Sequence, residues 1–209
     1  MFGLLGLLLA FTFSGAASRF EERRLLIGRE ANAIGTAYLR VDLLPSDSQP
    51  EIRQLFRRYL DARVATYRNA EDTIATDATL TEVNTLQRAI WAKAVSASAR
   101  QEATTTAAML MLPALNEMID ITTTRAVATK DHPPRVIFLL LAGLSLVSSL
   151  LGGYVMCSTR TRCWFYMLLI ATTMSVTLFV ILDLEYPRFD LIRIDGADQV
   201  LIDLRGLMR

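Results

Sequence analysis

The chain has 209 residues, 52 % of them hydrophobic, and its 22 Lys and Arg nearly cancel its 21 Asp and Glu. That balance leaves no basic field for a nucleic acid, which is not expected as a partner. One histidine and two cysteines give a His-based zinc site or a Ser-His-Asp triad almost no material.

Charge is distributed unevenly. Residues 1–18, 136–159 and 163–182 contain no Asp, Glu, Lys or Arg, whereas residues 19–135 hold sixteen basic and fifteen acidic side chains. A helix rises about 1.5 Å per residue and a bilayer core is about 30 Å thick, so roughly 20 apolar residues cross it. The second and third stretches meet that length and the first is marginal. Trp164 and Tyr166 open the third as interfacial aromatics do. For the first stretch a cleaved signal peptide is the alternative, with small residues from Ser14 to Ala17 near a cut. It lacks a basic n-region, however, and Arg19, Arg23, Arg24 and Arg29 follow it, which favours an anchor with that end in the cytoplasm.

The same rule sets the topology. Arg125, Lys130 and Arg135 precede the second span, and Arg188 and Arg193 follow the third, against Arg160 and Arg162 in the loop between them. The expected layout is a transmembrane helix over residues 1–18, a cytoplasmic helical region over 19–135, a transmembrane hairpin over 136–182 and a cytoplasmic tail over 183–209. This describes a multi-pass membrane protein, with the lipid bilayer as partner. Its odd span count with an outside N-terminus suggests a missing preceding helix. Cys157 and Cys163 flank the hairpin loop, where a disulfide and two separate thiols are both open readings.

Between the spans the periodicity is helical. Ile27, Ala31, Ile34, Tyr38 and Val41 recur at threes and fours, and Pro45 ends that helix near Leu44. Ser48 and Glu51 form a capping-box pattern before Ile52, Leu55, Phe56, Tyr59 and Leu60, the clearest amphipathic run, with Arg53, Arg57 and Arg58 on its other faces. A third helix is expected over residues 79–112 through Leu86, Ile90 and Trp91, and a fourth over 114–128 after Pro113. No stretch alternates as a strand does. The fold class is an all-α integral membrane protein, and the first span is free to run unbroken into the first cytoplasmic helix.

Three groups of residues are candidates for function. Gly6, Ala10, Ser14 and Ser18 repeat every four residues along one face, as do Ser145, Ser149 and Gly153, which suits close helix packing within or between subunits. Leu9, Phe13 and Phe20 form a bulky stripe able to line and gate a pore, or simply to meet lipid. Asn116, Glu117 and Asp120 share a helical turn, with Thr124 and Arg125 beyond, as a solvated face or an ion site. Asp183 and Glu185 stand where the third span ends, suited to an ion path or to ordinary interfacial placement. No catalytic set of acid, base and nucleophile emerges, so an enzyme is not expected, and neither a cofactor nor a bound metal is implied.

The blocks SRFEERR, EANAIGTAYLR, LPALNEMIDI and LDLEYPR, spread over nearly the whole chain, resemble the bacterial bestrophin-like family, long grouped as a domain of unknown function. The resemblance implies two N-terminal spans, a cytoplasmic helical region and a C-terminal pair of spans, this chain beginning near the second span. By analogy with bestrophins proper, which are pentameric ion channels, it implies a homo-oligomer passing small ions, with Leu9 and Phe13 as neck candidates. Glu185, Tyr186 and Pro187 resemble the acidic residue and proline after the last bestrophin span, where animal members bind calcium. The aromatic and glycine expected next are replaced by Arg188 and Asp190, so no calcium site is expected. A non-conducting scaffold, its helices and the Thr-rich stretch from Thr73 to Thr85 holding a protein partner, is the other reading.

Overall fold

In the computed structural model the described residues are 2–68, 73–101, 103, 105–157, 164–186 and 195–208. They form α-helices α1 (Phe2–Leu39), α2 (Gln49–Arg68), α3 (Thr73–Ser98), α4 (Thr105–Lys130), α5 (Arg135–Cys157), α6 (Trp164–Glu185) and α7 (Asp195–Leu207), with a 3-10 turn at Arg40–Leu43. No strand occurs among the described residues. Three stretches are long and apolar enough to cross a membrane, beginning in α1, in α4 running through α5, and in α6.

Two compact units emerge: residues 1–22 with 129–193, and residues 23–128 with 194–209. In the first, Leu5, Leu9 and Ala16 of α1 pack with Leu141 of α5 and with Ile181 and Leu184 of α6. Their outer faces stay apolar: Leu139, Leu150, Phe165 and Val176 are all exposed. In water such faces would aggregate, and in a bilayer they meet lipid chains.

In the second unit α2 supplies the centre. Phe56, Tyr59 and Leu60 are fully buried, and each contributes about 2 kcal/mol by leaving water. Tyr38 of α1 meets Phe56 edge to face, with ring centres 5.8 Å apart. Leu86 and Ile90 of α3, Met111, Leu115 and Met118 of α4, and Leu201 of α7 complete the core. At Gly35 of α1 a Cβ would meet Leu204 Cδ1 of α7 at 3.4 Å, which places α7 against this part of α1.

Several helix boundaries differ from the sequence expectation. The first charge-free stretch does run without a break into the charged residues that follow it, as the single helix α1. The third expected helix, however, is two. The chain turns after Ser98, with the amides of Arg100 and Ala103 bonded to the carbonyls of Ala97 and Arg100 at 3.4 and 3.0 Å. Arg100 Nη1 is drawn to Asp47 Oδ2 at 2.6 Å, so a distant contact rather than a proline or glycine fixes the break. Pro113, expected at a boundary, lies inside α4. It has no N–H to offer the Met109 carbonyl one turn back, and Arg40 Nη1 donates to the neighbouring Leu110 carbonyl at 2.5 Å. At the start of α2 the capping residues turn elsewhere: Glu51 pairs with Lys93 at 2.8 Å and the Ser48 hydroxyl accepts from Arg100 at 3.1 Å. The helix α7 falls in what was expected as a tail.

Candidate functional site

Each unit is built around a buried carboxylate. In the first unit it is Glu185, at the end of α6, whose side chain is entirely buried. Arg19 of α1 grips it in fork geometry, Nε lying 3.2 and 3.0 Å from the two carboxylate oxygens and Nη2 2.8 Å from Oε2. A Cβ at Gly15 would come within 3.3 Å of Arg19 Nη1, so glycine one turn back makes room for the guanidinium. His132, from the link between α4 and α5, places Nδ1 3.1 Å from Glu185 Oε1 and stacks on the Tyr186 ring at 4.5 Å. Asp183, two residues earlier on α6, is 1 % exposed, and its Oδ1 has no hydrogen-bond partner among the described residues.

In the second unit the carboxylate is Glu30 of α1, also fully buried. Arg63 of α2 donates from Nε to Oε1 at 2.5 Å, Arg125 of α4 donates to Oε2, and the Tyr67 hydroxyl donates to Oε2 at 2.9 Å. The Arg125 guanidinium lies 4.1 Å over the Tyr67 ring, adding a cation–π contact. Nearby, Gln87 of α3 donates to the Tyr59 hydroxyl at 3.3 Å and to Thr122 Oγ1 of α4 at 3.1 Å. Burial alone would raise the Glu30 carboxyl. The charges and hydrogen bonds of Arg63 and Arg125 overcome it and hold Glu30 below the usual carboxylate range. Burial pushes the Tyr59 phenol up to about 12 and also raises that of Tyr67.

The residues singled out in the sequence scatter over this frame. Gly6, Ala10 and Ser14 lie on an exposed face of α1, and a Cβ at Gly6 would meet nothing within 4 Å. Phe13 is exposed beside them, whereas Leu9 packs inside the first unit and Phe20 is half-buried against it. On α5, Ser149 is exposed and Gly153 half-buried, and the Ser145 hydroxyl is buried without a partner among the described residues. Asn116, Glu117 and Asp120 are all exposed on α4, and only Asp183 and Glu185 are buried together. Cys163, Arg160, Arg162, Pro187, Arg188, Asp190 and Arg193 lie outside the described residues, as do the side chains of Thr73, Cys157, Trp164 and Tyr166. No three His, Cys, Asp or Glu among the described residues gather as metal ligands.

The Glu30 cluster was missed in the sequence. Arg19 and His132 were noticed for their charge and their rarity, without their shared partner. One signal was available: Glu30 interrupts the apolar face that runs from Ile27 through Ala31 to Ile34.

Residues 3–190 match the family model of the Bestrophin-like domain. No curated protein matches the chain. Among solved structures, a point variant of a bestrophin homologue from Klebsiella pneumoniae superposes with a TM-score of 0.75 at 17 % identity, covering 97 % of this chain and 84 % of that one. A structure of the Klebsiella homologue phased on zinc gives 0.74 at 18 %, over 97 % and 84 % of the two chains. Another point variant of it gives 0.73 at 19 %, over 98 % and 85 %. At such identities the likeness shows a shared fold.

Proposed function

We propose, from the premise that this chain belongs to the Bestrophin-like family, that it is one subunit of an oligomeric channel passing small ions passively across the bacterial plasma membrane. The observation that carries this is the unpartnered face of α1. At 100° per residue, Gly6, Ala10, Phe13 and Ser14 fall within roughly a third of the helix circumference. All four are exposed, while Leu5, Leu9 and Ala16 are used inside the chain. Small residues admit a neighbouring backbone and a phenylalanine narrows an opening. Leu9 is covered by its own chain, so Phe13 is the stronger constriction candidate of the stripe.

Three spans in one chain are too few to enclose a pore, so conduction requires several copies, five by the bestrophin analogy. Purified protein is tested for assembly in detergent and for conductance in planar bilayers. Phe13→Ala is expected to raise single-channel conductance without changing assembly. An assembled protein that passes no current under any salt gradient sinks the channel reading.

A non-conducting scaffold has one observation in its favour. Leu39, Leu43, Met109 and Leu110 are exposed in the second unit, where Arg40 ties the 3-10 turn to α4. A stoichiometric soluble protein recovered with the chain from membranes supports that reading.

A further inference from the structure

We propose that Lys130 and Arg135, together with the outward face of α5, hold an anionic phospholipid, the cations taking its phosphate and the helix its acyl chain. Both residues are exposed, and neither forms a hydrogen bond or ion pair among the described residues. Lys130 closes α4 and Arg135 opens α5. Only residues 131–134 separate them, so their Cα atoms lie within about 17 Å and two long side chains can converge on one headgroup. The acids nearby do not answer them. Glu185 is held by Arg19 and His132, and Asp131 in the link bonds to neither cation.

The face that follows Arg135 suits a hydrocarbon chain. At 100° per residue Arg135, Leu139, Gly143 and Leu146 fall within roughly a quarter of the helix circumference. Leu139 and Leu146 are 71 % and 68 % exposed, and a Cβ at Gly143 would meet nothing within 4 Å, which leaves a shallow notch between the two leucines. From Arg135 to Leu146 the helix rises about 16 Å, about half the hydrocarbon core of a bilayer, so the chain of one leaflet covers that face. Helical side chains lean towards the N-terminus, and Arg135 therefore reaches away from the hydrocarbon and towards the phosphate. Charge selects the class of lipid. A phosphodiester with an uncharged headgroup brings one negative charge to two unanswered cations, whereas a choline headgroup brings a third cation with it. Each cation near an anionic headgroup favours it several-fold, so a preference of about tenfold or more is expected.

Lipid binding does not depend on conduction, so a failed channel reading leaves this one standing. Full-length protein in a neutral maltoside is given equal amounts of dioleoylphosphatidylglycerol and dioleoylphosphatidylcholine, and its adducts are weighed by native mass spectrometry. Phosphatidylglycerol adducts are expected to exceed phosphatidylcholine adducts about tenfold, and to fall to parity in Lys130→Gln/Arg135→Gln. Arg29→Gln/Arg88→Gln, which removes two exposed cations of the second unit, is expected to keep the preference. Equal adducts in the wild type overturn the proposal, as does a preference that survives the first double variant or is lost equally in the second. Should the first double variant not fold, thermal unfolding of the wild type decides. A midpoint raised by about 4 °C at tenfold saturation with phosphatidylglycerol, and by neither phosphatidylcholine nor glycerol 3-phosphate, supports the site. Equal midpoints with the two lipids overturn it, and so does a rise that glycerol 3-phosphate alone reproduces.

Discussion

Glu30 and Glu185 are both wholly buried carboxylates, yet they are stabilised in different ways. Glu30 faces two arginines and a tyrosine from two other helices, so its surroundings carry an excess positive charge. Glu185 is held by Arg19 in fork geometry, with His132 Nδ1 at its other oxygen. Removing the acid therefore has unequal consequences. At Glu30 two guanidinium groups would be left opposed in the core; at Glu185 one, partly exposed, would turn to water.

The comparison breaks most visibly at Glu30. Glu30→Gln is expected to cost about 3–5 kcal/mol, read as a lowered thermal midpoint or loss of folded protein on purification, because it strands Arg63 and Arg125. The same centre sets the acid response. Its carboxyl is held below the unfolded value of about 4.3, so the stability it contributes is full above that pH and is lost as pH falls through the folded value. A folding variant without Glu30 should lack that acid limb.

Next in size is the alkaline limb of the same unit. With Tyr59 pushed up to about 12 by burial, the stability it contributes is full below the unfolded value of about 10 and is lost as pH rises through the folded one. The limb amounts to roughly 3 kcal/mol, and Tyr59→Phe should flatten it in pH-dependent melts. Arg19→Ala in the first unit is expected to cost less, about 2 kcal/mol, since His132 still answers Glu185. The smallest effect falls on the surface pair that ties α7 to α2. Arg205 Nε lies 2.7 Å from Asp61 Oδ1. Arg205→Ala should change stability by only about 0.5 kcal/mol, and less in high salt.

The three stretches long and apolar enough to cross a membrane and the amphipathic α2 were legible because each announces itself within one segment, by missing charge or by a 3.6-residue period. Asp183 and Glu185 were legible as acids at the edge of an apolar stretch, but not as one carboxylate held by Arg19 and His132 and one whose Oδ1 has no hydrogen-bond partner among the described residues. That distinction depends on Arg19, 166 residues away from Glu185 in the chain. The Glu30 centre was hidden for the same reason, its partners Arg63 and Arg125 lying 33 and 95 residues further on. The break after Ser98 escaped notice because residues 97–103 contain neither proline nor glycine, and Arg100 is held by a contact that local pattern does not encode. The inward turn of Leu9 beside the outward Phe13 was out of reach as well, since both are apolar and only the packing of Leu141, Ile181 and Leu184 separates them.

The three-way bond at Glu30 also constrains how the sequence can change over time. Exchanging the acid alone strands two cations, and exchanging either arginine alone leaves the acid with one guanidinium and the Tyr67 hydroxyl. A wholly apolar replacement of all three would be a sound core. Each single step towards it lowers stability first, so the trio is a local optimum from which point mutation offers no downhill exit, and lineages would be expected to keep it or replace it as a set.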